Sequence, residues 1–171
     1  DTPEVNAFAA PGGYVLITRG LYELLSTDSE LAAALAHEIS HCVQRDHYNV
    51  IHKQEMADTA KERALSQVTT GNDTTAGRYA RRYAEEHGAA IMLTSLDRDA
   101  EYRADVGAEV YLARAGMNPL ALYSLLQKLT ALGSESASLA QLYKTHPPLA
   151  ARVDRIDQRG YGALEAYTAR E

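Results

Sequence analysis

The stretch ELAAALAHEISHCVQRDH, Glu30–His47, decides how the rest of the chain reads. Its alanines and leucines are strong helix formers. Thr27 stands three residues before Glu30, a capping-box pattern that opens a helix. Leu31, Leu35, Ile39, Cys42 and Val43 recur at helical spacing and form the expected core-facing stripe, with Cys42 as a core residue. The helix is expected to run to about His47 or a little beyond. At its centre stand two imidazoles and a carboxylate. Burying such groups without partners is costly, so their position asks for a chemical reason.

Residues four apart share a helix face, so His37 and His41 can aim ring nitrogens at one point. Zinc takes neutral imidazole at ~2.0–2.1 Å, and two histidines one turn apart suit it. Glu38 lies ~100° further round the helix. It is badly placed to share the ion but can reach a water beside it and take its proton, which is the logic of H-E-x-x-H. A third protein ligand leaves one position open for water. In the arrangement with a distant glutamate it lies on a later helix, where DAEYRAD (99–105) offers Glu101. Asp105, one turn on, can accept a hydrogen bond from the free N–H of a ligand histidine, His37 first. His47 and His52 are the rivals. On a continuous helix His47 sits ~80° off the face of His37. It enters only if the helix ends early, and Gln44 or Arg45 stands where a chain-turning glycine would be needed.

Working outward, Val5–Ala9 and Tyr14–Thr18 read as strands around a Pro11-Gly12-Gly13 turn. Gly20–Leu25 reads as a short helix, and 48–68 is helical in character. The Thr-, Gly- and Asn-rich 69–77 reads as a loop or mobile segment. Tyr79–Leu96 reads as helix, as does 97–116, stopped by Gly116. Asn118-Pro119 opens another helix, with Pro at its first position, to about Leu132. GSESAS is a loop, and the chain after His146-Pro147-Pro148 forms a last helix to Gly160. The fold class is mainly α (α+β): a helical bundle with a small β-hairpin near its start, in a single domain over 1–171.

The bulk numbers are those of an ordinary globular chain, 46% hydrophobic and 23% charged. The net charge of −6 and the scatter of its basic residues argue against nucleic acid as a partner. No apolar run approaches the ~20 residues that cross a bilayer. The chain starts DTPEVN without a Met, so a processed or trimmed N-terminus is expected, and membrane association only through a segment preceding it. The single cysteine excludes an internal disulfide.

Taken together, NAFAAPGGYVLITRGLYELLSTDSELAAALAHEISHCVQRDH, then EYRAD, then THPPLAARVDRI resemble the zinc metalloendopeptidases of the HtpX, BepA and CAAX-prenyl-protease group, metallopeptidase family forty-eight. The resemblance covers 5–47, 97–119 and 145–157, in the family's order. It implies a gluzincin-like fold, one zinc ion and peptide-bond hydrolysis, with His37, His41 and Glu101 as ligands and Glu38 as general base. It also brings His146 and Arg152 close to the metal. His146 then either hydrogen-bonds the oxyanion or ligates zinc in a resting state, and Arg152 contributes charge. The strand Asn6–Ala10 is expected beside the site, with Asn6, Ala7, Phe8 and Ala9 offering main-chain groups to an extended peptide. Unfolded or flexible proteins are the implied substrates, and quality control in the bacterial periplasm or envelope the implied role. The membrane-integral members carry transmembrane helices that this chain lacks, and 48–92 carries no family signature; a lid or partner-dependent segment is expected there. Two other readings stand beside this one: a zinc-containing chaperone or assembly factor with latent peptidase activity, and a helical domain with no metal.

Overall fold

The computed structural model describes residues 1–10, 13–66 and 95–159. Strands β1 (Ala7–Ala10) and β2 (Tyr14–Ile17) pair antiparallel, with Ala7 opposite Ile17 and Ala10 opposite Tyr14. Thr18 closes the hairpin. Its N–H donates to Asn6 O, and its hydroxyl both accepts from Asn6 N and caps helix α1 (Arg19–Leu24) by accepting from Leu21 N.

Helix α2 (Asp28–Gln44) starts as its capping pattern implies. Thr27 Oγ1 accepts from Glu30 N at 3.1 Å, while the Glu30 carboxylate accepts from Ser26 N and pairs with Lys128. Helix α3 (Asp46–Ser66) follows after one residue. Helix α4 (Arg98–Ala115) is capped by the Asp97 side chain and stopped by Gly116 in the left-handed conformation. Helix α5 (Ala121–Ala131), a 3-10 turn (Ala137–Leu139), α6 (Ala140–Thr145) and α7 (Leu149–Arg159) complete the described elements.

The core is a leucine layer. Leu122, Leu125, Leu126 and Leu129 of α5 pack with Leu139, Leu142, Leu149 and Ile156 against the alanines of α2. Helices α2 and α4 run side by side in opposite directions, with Gln44 meeting Arg103 and Ser40 meeting Gly107. A Cβ on residue 107 would overlap Ser40 Oγ, so glycine is what lets these backbones approach.

That close approach overturns the expected stripe. Ile39 and Val43 are 44% and 63% exposed, and Cys42 is half-buried rather than a core residue. The buried face is Ala33, Ala34, Ala36, His37, Glu38, Ser40 and His41. A helix pressed on another helix hides its small side chains, and the bulkier apolar ones are left outside. Helix α2 also ends sooner than expected, at Gln44, because Arg45 turns the chain with φ of 58°. Helix α5 starts two residues past Pro119, since Asn118 Oδ1 accepts from Leu120 N and holds a turn there first. The 3-10 turn and α6 are too short to leave a periodic signal in the sequence. The segments 69–77 and most of 79–96 lie outside the described residues. Among the described residues no helix is long and apolar enough to cross a membrane.

Candidate metal centre

His37 and His41 leave the buried face of α2 one turn apart, and α4 brings Glu101 and Asp105 against them. His37 Nε2 lies 3.1 Å from His41 Nε2. Glu101 Oε2 is 3.3 Å from the first, and Oε1 is 3.5 Å from the second. His146, between α6 and α7, adds Nδ1 at 3.1 Å from Glu101 Oε1. One donor atom from each of His37, His41, Glu101 and His146 lies within 4.8 Å of the others, and all four residues are buried.

The outer partners fix the rings. His37 Nδ1 is 3.0 Å from Asp105 Oδ1, and His41 Nδ1 is 2.9 Å from Asp46 Oδ2. A carboxylate only accepts, so each Nδ1 carries a proton, and a ring with no second proton turns a bare Nε2 inward. Two lone pairs 3.1 Å apart do not bond; something positive belongs between them. Burial presses the His41 ring toward neutrality, yet its hydrogen bonds to Asp46 and Glu101 outweigh that and carry its pKa up to about 9. That proton answers the same need as a metal cation.

Arg152 anchors the carboxylates. Its Nε and Nη2 donate to Asp105 at 2.9 and 2.6 Å, and Nη1 reaches Glu101 Oε2 at 3.0 Å. Burial favours neutral Glu101 and Asp105. The charges of His146 and Arg152 overcome it for Glu101, and Arg152 with the His37 hydrogen bond does so for Asp105, holding both below the usual carboxylate range.

His146 bridges to the sheet. Its Nε2 donates to Ala7 O at 3.1 Å, while Thr145 Oγ1 donates to Asn6 Oδ1 at 3.4 Å. Burial lowers the pKa of His146, but the charges of Glu101 and Glu38 raise it on balance. Because Thr18 N bonds Asn6 O, alternation sends the main-chain groups of Phe8 and Ala10 to β2 and those of Ala7 and Ala9 to the open edge. Phe8 itself lies over the outer face beside Leu16 and Tyr22.

The residues fit a divalent metal. Ligand bonds of ~2.0–2.1 Å in a tetrahedron need donor separations of about 3.3–3.4 Å, close to those between the two Nε2 atoms and the Glu101 oxygens. Glu38 Oε2 is buried beside this cluster with no hydrogen-bond partner among the described residues. An orphan acceptor of that kind awaits a donor such as water.

Sequence comparison points the same way. The profile described as Peptidase family M48 matches residues 1–160. The chain belongs to peptidase family M48. This M48 domain is 31% identical over 146 residues to the Beta-barrel assembly-enhancing protease of Yersinia pestis, covering 84% of this chain and 30% of that protein. It is 33% identical over 187 residues to a Protease HtpX homolog of Desulfatibacillum aliphaticivorans, covering 88% and 58%. It is 27% identical over 145 residues to the Mitochondrial metalloendopeptidase OMA1 of Arabidopsis thaliana, covering 85% and 27%. The chain thus spans about a third of the length of the assembly-enhancing relative.

Within the M48 domain, the sequence candidates His37, Glu38, His41, Glu101, Asp105, His146 and Arg152 all meet in one buried cluster. The two rivals do not join the metal group. His47 is buried with its ring centroid 6.1 Å from that of His41, and His52 is exposed and stacked on Tyr48. The helix does end early, as a His47 ligand would require, since a non-glycine residue makes the turn. The turn carries Asp46, not His47, to the His41 ring. Asp46 is the residue that sequence reasoning missed. Arg103 holds its other oxygen at 3.3 Å, and Gln44 links Arg103 back to Ser40. A carboxylate five residues past the second histidine was the available signal, but on a continuous helix it points away.

Proposed function

We propose that this domain is a zinc-dependent metalloendopeptidase acting on unfolded or extended polypeptide, in protein quality control in the bacterial periplasm or cell envelope. The observation that carries the reading is the buried group of His37, His41 and Glu101 with the unpartnered Glu38 Oε2 beside it. The donor set of two imidazoles and one carboxylate is one that zinc takes in hydrolytic sites. The relatives' names support the class of activity, and the word beta-barrel assembly in one of them supports the envelope.

In this reading His37, His41 and Glu101 hold the ion, and Asp105 and Asp46 keep the two rings aimed. Bound zinc supplies Lewis acidity toward a carbonyl oxygen and makes nearby water a better acid. Glu38 takes the proton of the attacking water and returns it to the leaving amine. His146 Nε2 turns from Ala7 O to donate to the developing oxyanion. Arg152 is committed to Glu101 and Asp105, so its charge serves to keep both ionised and oriented. The open edge at Ala7 and Ala9 receives an extended peptide through main-chain hydrogen bonds, which favours segments free of their own structure.

One observation favours a second reading, a chaperone or assembly factor with latent peptidase activity. His146 Nδ1 lies within the metal group, where it can fill the position that water needs. The Glu38→Gln variant tests the first reading. It should bind one zinc per chain, measured by elemental analysis, and lose casein cleavage by at least ~100-fold, the usual size of a general-base contribution. Equal inertness of wild type and variant, with zinc bound in both, would favour the latent form. His146→Ala then separates the roles: cleavage rises if His146 blocks the metal and falls if it serves the oxyanion.

A further inference from the structure

A cavity of about 370 Å³ opens beside His41, where α2 gives way to α3. That volume is at the small end of the ~300–1,000 Å³ of ligand pockets, and has room for a substrate side chain. Its apolar wall is Ala9, Ala10 and Cys42. Its polar groups are His41, Arg45, His47 and Tyr48.

Arg45 gives the cavity its character. Its left-handed backbone at the end of α2 carries its side chain to the cavity. The neighbouring carboxylate, Asp46, is already shared between His41 and Arg103. Among the described residues no carboxylate pairs with Arg45. His47 is buried there, its ring edge-on to that of His41. Among the described residues the cavity is thus a largely apolar slot with an arginine that no carboxylate pairs.

Its place along the strand says which part of a peptide meets it. Ala7 touches His146 at the metal group, and Ala9 and Ala10 reach the cavity. A peptide pairing antiparallel to β1, the commoner and slightly stronger mode, runs the other way. Its residues N-terminal to the scissile bond then lie over the cavity.

Resting on the peptidase reading above, we propose that this cavity binds the side chain of a substrate residue on the N-terminal side of the scissile bond, and that Arg45 selects a glutamate there. The apolar wall takes the methylenes and the guanidinium takes the carboxylate. A carboxylate and a guanidinium can pair in a two-pronged fork, which a lysine ammonium or an amide cannot match in charge or geometry.

Two measurements test it with the whole chain. The first maps cleavage of a peptide library by mass spectrometry for the zinc-loaded wild type and Arg45→Glu. The wild type should favour Glu over Lys by roughly five-fold at one position N-terminal to the cut, the scale of a partly exposed ion pair. Arg45→Glu should reverse that order at the same position. An identical profile for the two proteins would overturn the proposal.

The second needs no turnover. Cys42 is the only cysteine and lines the cavity, so its rate of alkylation by iodoacetamide reports occupancy. In Glu38→Gln, which should leave peptides intact, a Glu-containing peptide should slow alkylation several-fold more than its Lys counterpart. Equal rates with both would overturn the pocket. Charge-dependent protection without cleavage in the wild type would uphold the pocket and sink the peptidase reading instead.

Discussion

The His37–Asp105 and His41–Asp46 pairs show how much of this site lies outside the metal group. Each carboxylate fixes a tautomer, and without it the ring is free to turn its protonated nitrogen inward. Asp105→Ala and Asp46→Ala are each expected to weaken zinc binding by ~10–100-fold while leaving stoichiometry near one at saturating metal. Competition with a chromophoric chelator measures it; wild-type affinity in either variant would remove that residue from the site. The histidine pair and Glu38 were legible from helical spacing, and Asp105 from its spacing to Glu101; Glu101 itself, like His146 and Arg152, was legible through the order of motifs along the chain. Asp46 was not, because it depends on a backbone angle. Arg45 is an unremarkable residue in sequence, and only its φ of 58° brings the next side chain back to His41.

Between elements, the decisive contact is that of Ser40 with Gly107, where α2 meets α4. Each helix carries part of the metal group, so their spacing sets the distance between the imidazoles and Glu101. Gly107→Val is expected to lower stability by about 1–3 kcal/mol through overpacking, read by denaturant unfolding. It should weaken zinc binding as well; full stability and full affinity together would show that this contact does not set the spacing. The cap at Thr27 and the stop at Gly116 were readable because each rests on local interactions. The buried face of α2 was not. Hydrophobic periodicity points to Ile39 and Val43, but the helix turns its alanines inward to admit α4 and its catalytic-type side chains. A site built inside a helix pair inverts the usual pattern, and the sequence alone does not say which helix will come so close.

Across the whole molecule, the buried charges tie stability to the metal and to pH. A ligand at ~1,000 times its Kd adds about 4 kcal/mol to the folded state. Stripping zinc with a chelator should therefore lower Tm, and added zinc should restore it; a Tm indifferent to both would deny the linkage. In the metal-free protein Glu101 and Asp105 have folded pKa values below their unfolded ones. Their contribution is present above the ordinary carboxylate range of about 4 and is lost only as pH falls through the depressed values, as acid unfolding followed by circular dichroism should show. The architecture of hairpin, helix pair and leucine layer places the open strand edge and the metal group side by side.

Helices α2 and α4 are proposed to hold one metal ion between them. X-ray diffraction at the zinc absorption edge on protein purified with zinc tests it most directly. The anomalous peak should lie within ~2.0–2.2 Å of His37 Nε2, His41 Nε2 and a Glu101 oxygen. No peak there, or an ion held without Glu101, would contradict it.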